Sequence, residues 1–238
     1  MEEPLNIIEE TRKTRSDGAQ SRERLLLAGM RLFAEQGFAN TSTREIALAA
    51  GANVASISYY FGDKAGLYRA AFRELNPCPR KDVALFTDPA ATLRESLTAF
   101  YAMVLGQLHQ GDLARLGMRL WFREMLEPTG LWLEEIDNGI KPAHDGLVLV
   151  LGRYLGHKEP GDDVARLAFC VVGLAIQVMV TRDVIDQVAP RLLAGDAAVD
   201  TWKARMVDYA EAMVNAEQAR QAAAQLTKES LPRKKNKA

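Results

Sequence analysis

The sequence is poor in cysteine, with only Cys78 and Cys170 among its 238 residues. Two cysteines are too few for a disulfide framework, and neither has the CxxC or cysteine and histidine spacing of a metal site. This usage is typical of proteins in a reducing compartment. We therefore expect a cytoplasmic protein that has no metal ion and no cofactor.

Histidine is scarce too, and the common catalytic signatures are missing. A helical hydrolase or a metal-dependent catalyst would have to use His109, His144 or His157 with nearby carboxylates. These histidines do not have the spacing of HExxH, and the chain contains neither GxSxG nor a phosphate-binding loop. The sequence therefore predicts that the protein is not an enzyme.

The chain also lacks an excess of charge and a long apolar run. Its 30 Lys and Arg residues almost balance its 31 Asp and Glu residues, so no global field attracts it to nucleic acid or to an anionic membrane. The acidic start, MEEPLNIIEE, does not resemble a secretion signal. The longest apolar stretch, Ala168 to Val180, contains Gln177 and is shorter than the roughly 20 residues of a membrane span. We expect a buried helix there and no membrane partner.

Helical periodicity is present almost throughout, and no segment alternates as a strand would. The predicted fold class is all-α. We expect a flexible arm over residues 1–19 with a basic cluster (Arg12, Lys13 and Arg15), a small domain over 20–75, a larger domain over 76–225 and a disordered basic tail over 226–238. Helices of the larger domain are predicted near 91–109, 112–126, 130–155, 162–187 and 199–225.

Local start and stop signals divide the small domain into four helices. The first covers residues 21–36. Ser42 and Glu45 form a capping box at the start of the second. The remaining signals are Gly37 and Gly51 as helix stops, Asn53 as the cap of a third helix over 54–61, and Asp63 as the cap of a fourth over 64–75.

The second and third helices, over residues 43–61, have the size and the tight glycine turn of a helix-turn-helix. Such a unit places a helix in the DNA major groove, which is about 12 Å wide. Many helical bundles contain a similar turn, so the architecture alone is a weak signal.

Four short motifs occur in and around this unit. They are AEQGF (34–38), TSTREIA (41–47), AGA (50–52) and SYYFGDKAGL (58–67). At this spacing they resemble the TetR family of bacterial regulators over about residues 21–70. Two positions depart from the family pattern: Ala52 stands where valine is common, and Ser58 stands where an aromatic residue is common.

The resemblance implies a three-helix DNA-binding domain whose second and third helices, with the start of the fourth, contact an operator. Arg44 would reach a phosphate or a base edge, and it is the best candidate for a base reader because a guanidinium can pair bidentately with guanine. Thr43 would bond a phosphate. Independently of the resemblance, the positive charge of the arm cluster predicts minor-groove or phosphate contacts. The other implied contacts are Asn53, Val54, Ser56 and Ser58 in the groove and Tyr59, Tyr60 and Lys64 on backbone phosphates.

Each of these assignments has a plainer alternative. Tyr59 and Tyr60 could simply pack between helices. Arg44 could be a solvated residue paired with a carboxylate. Lys64 at a helix start is disfavoured by the helix dipole unless a phosphate lies nearby. The arm and the tail could serve only to solubilise the chain.

The larger domain is predicted to pair two copies of the chain and to bind an effector. Residues 162–187 are apolar on nearly every face, and the resemblance implies that this helix and the one near 199–225 form a four-helix bundle with their copies. A homodimer would place two reading helices about 34 to 36 Å apart on a near-palindromic operator. The segments 116–129 and 140–142 resemble a TetR subgroup with a CerR-type C-terminal domain.

The sequence thus predicts a ligand-responsive DNA-binding regulator, and the resemblance favours a repressor that an unknown small-molecule effector releases. The alternative is a protein-binding adaptor that has lost operator binding. Candidate polar contacts to the effector are His109, Arg123, Glu124, His144 and Gln177, although apolar and aromatic residues at helical spacing more often form a core. The apolar candidates for an effector pocket are Phe100, Met103, Met118, Trp121, Phe122, Met125 and Trp132.

Overall fold

The computed structural model describes residues 5–75, 80–106, 111–131, 133 and 136–230. These residues form helices and turns, and no strand occurs among them, which confirms the all-α prediction. The chain divides into two compact units. Unit 1 comprises Met1–Pro77 and Gln110–Ile136, and unit 2 comprises Cys78–His109 and Asp137–Ala238.

Unit 1 contains the predicted helix-turn-helix and one helix that we expected elsewhere. Residues 110–136 belong to this unit, whereas the sequence placed them in the larger domain. The reason is that helix α7 packs against α1 and α4. The helices of unit 1 are α1 (Leu5–Asn40), α2 (Thr43–Ala49), α3 (Ala55–Phe61), α4 (Lys64–Leu75) and α7 (Gly111–Leu126).

Helix α1 differs from the prediction at its beginning. It begins at Leu5, so residues 5–19 are helical where we predicted a flexible arm. Leucine, glutamate, arginine, lysine and alanine in this segment are good helix formers, and an established helix extends at little cost. Near the other end, Gly37 interrupts the helical geometry with φ 82° and ψ 170°, at the position where the sequence predicted a stop.

The core of unit 1 is formed by apolar side chains from all five of its helices. An aromatic group lies at its centre, where the ring of Tyr68 is edge-on to Phe33 at 5.0 Å and to Phe38 at 5.1 Å. Leu120 of α7 is fully buried in the same core. Fully buried members from the other helices include Leu25, Ile46, Ile57 and Leu67.

Unit 2 is a helical bundle. Its described helices are α5 (Arg80–Phe86), α6 (Leu93–Leu105), α8 (Lys141–Tyr154), α9 (Asp162–Val180), α10 (Arg182–Val188) and α11 (Asp196–Ser230), with a π-helix over Ile136–Ile140 and a 3-10 helix over Pro190–Leu193. Contacts link α5 with α6 and α8, α6 with α11, and α8 with α9. Tyr101 of α6 donates a hydrogen bond to the carbonyl oxygen of Val171 at 2.8 Å, and burial raises the pKa of Tyr101.

Two helices predicted as continuous are interrupted in the structure. The predicted helix over 130–155 is replaced by a turn with Gly130 at φ 78°, the π-helix and α8, because the glycine turn breaks the helix and Pro142 lies in the first turn of α8. The predicted helix over 162–187 is divided into α9 and α10 at Thr181, whose backbone has φ −95° and ψ 13°.

The C-terminal helix is longer than predicted, since α11 begins at Asp196 and continues to Ser230. Residues 226–230 of the predicted disordered tail are therefore helical, and residues 231–238 lie outside the described part of the chain. Helix α9 is long and apolar enough for a membrane span by composition alone, and 28% of its most apolar window is buried within the structure. The prediction that this stretch is buried thus holds for only one of its faces.

Candidate nucleic-acid interface

Helix α2 is held at its start by the predicted capping box. The Ser42 hydroxyl accepts a hydrogen bond from the Glu45 N–H at 3.2 Å, and Glu45 Oε2 accepts one from the Ser42 N–H at 2.8 Å. The bond from the Ser42 N–H is the main cause that holds the pKa of Glu45 below its ordinary value. Thr43 and Arg44 follow directly in the first turn, where Thr43 is half-buried and Arg44 is exposed.

The turn between α2 and α3 is closed by backbone hydrogen bonds. The Ala52 N–H donates to the Ala47 carbonyl at 2.9 Å, and Gly51 has φ 58°, a left-handed conformation that favours glycine. Asn53 Oδ1 accepts a hydrogen bond from the Ala55 N–H at 2.9 Å. Asn53 thus makes the predicted capping bond, although the helix begins at Ala55 and its N-cap residue is Val54, whose side chain makes no capping bond.

Helix α3 buries a single side chain completely, that of Ile57. Its remaining positions include the predicted contact residues, and most of them face outward. Ser58 is exposed, Ser56 is half-buried, and Val54 just before the helix is 42% exposed. The polar and small side chains of α3 are thus available to a ligand, while Ile57 fixes the helix to the core.

Tyr59 and Tyr60 occupy different environments although they are adjacent. Tyr59 is 82% exposed, whereas Tyr60 is half-buried and packs against the apolar core. Their rings meet edge to face at 4.9 Å. The alternative that these residues only pack between helices therefore applies to Tyr60 and not to Tyr59.

Lys64 has a structural role that the sequence did not predict. Its ammonium donates hydrogen bonds to the carbonyl oxygens of Phe38 at 2.9 Å and Thr41 at 3.0 Å, and it lies 4.3 Å from the centroid of the Phe38 ring. These carbonyls offset the unfavourable helix dipole that we expected a phosphate to offset. One of the three ammonium donors remains for a phosphate.

Other side chains at this interface were not predicted from the sequence. Arg24 donates a hydrogen bond from Nε to the Ala50 carbonyl at 3.2 Å, at the end of α2, and the Arg22 guanidinium lies 5.2 Å from the centre of the Phe61 ring. Leu48 is 82% exposed on α2, one helical turn after Arg44. Residues four positions apart lie on the same face of a helix, so this spacing could have identified Leu48 as a neighbour of Arg44 at the interface. The side chains of Arg12, Lys13 and Arg15 lie outside the described residues.

The predicted effector residues are divided between the two units. In unit 2, Phe100 is buried and packs edge to face on Phe86 at 5.3 Å, so it is a core residue. Gln177 is exposed and donates to the Thr181 hydroxyl at 3.2 Å. Met103 is half-buried, and Trp132 lies outside the described residues. In unit 1, Met118 is buried, Trp121 and Phe122 are half-buried, and Met125 is 44% exposed.

Unit 1 also contains a cavity of about 580 Å³ that is lined mostly by residues we did not predict. Its walls include Phe38, Ala65, Tyr68, Arg123 and Glu124. Among the described residues that we considered from the sequence as polar contacts, only Arg123 and Glu124 line it, and His109 lies outside the described residues. The described apolar candidates are not among its lining residues, so their role in effector binding stays a prediction.

Two family models match the chain. Residues 25–71 match the model described as bacterial regulatory proteins of the tetR family, and residues 93–217 match the C-terminal domain of the HTH-type transcriptional dual regulator CecR. The second match alone covers more than half of the chain. The fold and these matches define a helix-turn-helix regulator with a separate helical C-terminal domain.

The chain belongs to the TetR family of bacterial regulatory proteins, and its C-terminal domain is of the CecR type. This confirms the resemblance found in the sequence. The subgroup that the sequence analysis called CerR-type is the CecR type. These family assignments also confirm the prediction of a regulator and not an enzyme.

Named relatives agree with this assignment. The chain is 31% identical to CecR of Shigella flexneri over 150 residues, which is 58% of this chain and 66% of that protein. It therefore spans slightly less than two thirds of that relative. The fold is similar to that of HlyIIR, a hemolysin II transcriptional regulator (TM-score 0.53, 20% identity, 74% of this chain and 97% of that one). It is also similar to NalD, a repressor of a multidrug efflux pump in Pseudomonas aeruginosa (TM-score 0.56, 18% identity, 83% and 97%).

Proposed function

We propose that this chain is a cytoplasmic repressor that binds a near-palindromic DNA operator as a homodimer and is released by a small-molecule effector. The observation that carries the proposal is the outward position of Arg44, Ser58 and Tyr59 on two short helices. The same helices bury Ile46 and Ile57 completely. A rigid scaffold of this kind presents a few polar side chains at fixed spacing, as groove reading requires.

The contacts divide by chemistry into those that read bases and those that fix register. Arg44 reads a base edge, Asn53, Val54, Ser56 and Ser58 face the groove, and Tyr59 bonds a phosphate. Thr43 adds a phosphate contact at the start of α2. Tyr60 and Lys64 contribute less than the sequence implies, because both are engaged with protein groups.

Homodimerisation is supported by the exposed apolar face of α9. Phe169 is 64% exposed and Val180 is 55% exposed on this helix, and Cys170 is exposed between them. Contiguous apolar side chains on a soluble surface mark protein interfaces. We infer that α9 and α10 pair with their copies, together with α11, on which Tyr209 is 51% exposed.

Release by an effector needs a difference in affinity between two states of the dimer. A near-complete switch corresponds to about 5.5 kcal/mol of differential binding. An effector that favours a state in which the two α3 helices no longer match successive major grooves would release the operator. If the operator affinity did not change with any compound that demonstrably occupies the protein, this part of the proposal would be wrong.

The experiment that tests DNA reading is selection from a random DNA library with the purified protein, repeated with Arg44→Ala and Tyr59→Phe. We expect a palindrome with half-sites about one helical turn apart, and Arg44→Ala should relax the preference at one position in each half-site. If no sequence is enriched at low salt, with or without candidate effectors, the adaptor alternative is favoured.

A further inference from the structure

The cavity of about 580 Å³ belongs entirely to unit 1. Its volume lies within the range of roughly 300 to 1,000 Å³ that small-molecule sites occupy. Phe38 and Tyr68 form an aromatic part of its wall, and the small side chain of Ala65 leaves room beside them. The shape and the lining therefore suit an organic molecule with an apolar body.

A buried carboxylate lies in the wall of this cavity. Glu124 is fully buried, and its Oε2 atom accepts a hydrogen bond from the Tyr68 hydroxyl at 2.5 Å. Its Oε1 atom accepts two bonds from Thr129, one from the N–H and one from the hydroxyl, each at 2.8 Å. Both carboxylate oxygens of Glu124 are therefore engaged as hydrogen-bond acceptors. Burial, followed by the bond to Glu124, raises the pKa of Tyr68.

Among the described residues, no lysine, arginine or histidine forms an ion pair with Glu124. The neighbouring Arg123 bonds instead to Glu127 at 3.1 Å and to the Glu35 carbonyl at 3.1 Å. The cavity lining thus holds two carboxylates, Glu124 and Glu127, and one guanidinium. A buried carboxylate without an opposite charge is costly, and a cation nearby would reduce that cost.

We propose that this cavity binds a small organic cation whose charge is balanced by Glu124 and whose apolar body lies against Phe38 and Tyr68. Glu124 has no exposed surface, so its attraction acts through the intervening protein, where the low dielectric strengthens it. The inference concerns the ligand class of unit 1 and does not depend on operator binding.

The test compares benzamidine, a cation at neutral pH, with benzamide, a neutral molecule of nearly the same shape. Binding of each to the full-length protein is measured without DNA by calorimetry and by ligand-observed NMR. We expect the protein to bind the cation at least about tenfold more tightly than the amide. The variant Glu124→Gln should reduce that preference to within about twofold, because it removes the charge and keeps the side-chain shape.

Two further variants control the experiment. Glu74→Gln removes a charge from an exposed position of α4 outside the lining, and it should keep the preference. Ala65→Leu fills the cavity without changing any charge, and it should weaken binding of both probes. If Glu124→Gln does not fold, as judged by circular dichroism, two results decide the question together: the preference of the unmodified protein for the cation, and the loss of affinity for both probes in a folded Ala65→Leu variant.

Two outcomes would overturn the proposal. In the first, the unmodified protein binds benzamidine no more tightly than benzamide, which would show that the carboxylate does not select for charge. In the second, a folded Glu124→Gln variant keeps the preference for the cation, or a folded Ala65→Leu variant binds both probes as tightly as the unmodified protein, which would place the cation elsewhere on the protein.

Discussion

Units 1 and 2 present two exposed surfaces of opposite character. In unit 1, the reading surface, defined here as Arg44, Ser58 and Tyr59, combines a guanidinium with two hydroxyls. In unit 2, the pairing surface, defined as Phe169, Cys170 and Val180 on α9, is apolar. A surface that meets phosphates and base edges needs polar groups, whereas a surface that meets a second copy of itself gains most from apolar contact.

The two surfaces also differ in how they are supported. The reading surface lies on helices of seven residues whose geometry depends on caps and on single buried side chains such as Ile57. The pairing surface lies on a 19-residue helix whose opposite face is buried in unit 2. We therefore expect substitutions on the reading surface to affect DNA binding alone, and substitutions on the pairing surface to affect assembly first.

The largest expected effect belongs to the pairing surface. Phe169→Glu places a charge in the proposed interface, once in each copy, and should raise the dimer dissociation constant at least thirtyfold, since an anchor residue contributes about 2 kcal/mol or more. Operator binding should fall with assembly, because joining two half-site contacts adds a factor of roughly 10² to 10⁴. Sedimentation velocity and operator titration measure the two effects.

The matched control is Leu126→Glu, which introduces the same charge at a residue of unit 1 that is 83% exposed. It should leave the dimer intact. A dimer that survives Phe169→Glu but dissociates with Leu126→Glu would place the interface on the other unit.

The next effect belongs to the reading surface. Arg44→Ala should weaken operator binding by about 1 to 3 kcal/mol, or roughly 5-fold to 150-fold, and should relax the sequence preference at one position. Arg31→Ala removes an exposed arginine of α1 that has no predicted contact and should change binding little. Fluorescence anisotropy with the operator and with single-base variants measures both. If the two variants lose affinity equally and without a change in preference, Arg44 contributes only general electrostatic attraction.

A smaller effect separates the two adjacent tyrosines. Tyr59→Phe removes a hydroxyl from an 82% exposed side chain and should weaken binding by about 0.5 to 1.5 kcal/mol on every operator variant alike, since a phosphate bond carries no sequence information. Tyr60→Phe should have less effect on binding because its ring packs in the protein. Titration of both variants with one operator set tests this order, and an equal loss would contradict the distinction.

The sequence was most informative where the determining contacts are local. The capping box of Ser42 and Glu45 and the caps of Asn53 and Asp63 connect residues two or three positions apart, so the start signals of α2, α3 and α4 could be found by inspection. The family motif supplied the rest of the helix-turn-helix.

The contacts that the sequence did not reveal join distant segments. Lys64 bonds carbonyls 23 and 26 residues away, and Tyr68 bonds Glu124 across 56 residues. Neither pairing follows from periodicity, because a helical pattern shows which face is apolar and not which helix covers it. For the same reason the sequence analysis placed α7 in the larger domain and not in unit 1, and it did not identify the cavity.

The smallest effect concerns pH and compares one capping box in each unit. The bond from the Ser42 N–H lowers the pKa of Glu45, and the bond from the Thr92 N–H lowers that of Glu95, each from an ordinary value of 4.5. A carboxylate whose pKa is lowered by folding stabilises the helix above its ordinary pKa, and this stabilisation is lost as the pH falls through the lowered value.

Glu45→Gln and Glu95→Gln keep a side-chain oxygen that can accept the capping bond but do not titrate. Amide hydrogen exchange should therefore show that acidification to about pH 3.5 lowers the protection of α2 and α6 in the unmodified protein. Each variant should remove this pH dependence only from its own helix, α2 for Glu45→Gln and α6 for Glu95→Gln. If either substitution changed the protection of both helices, the two boxes would not be independent features of separate units.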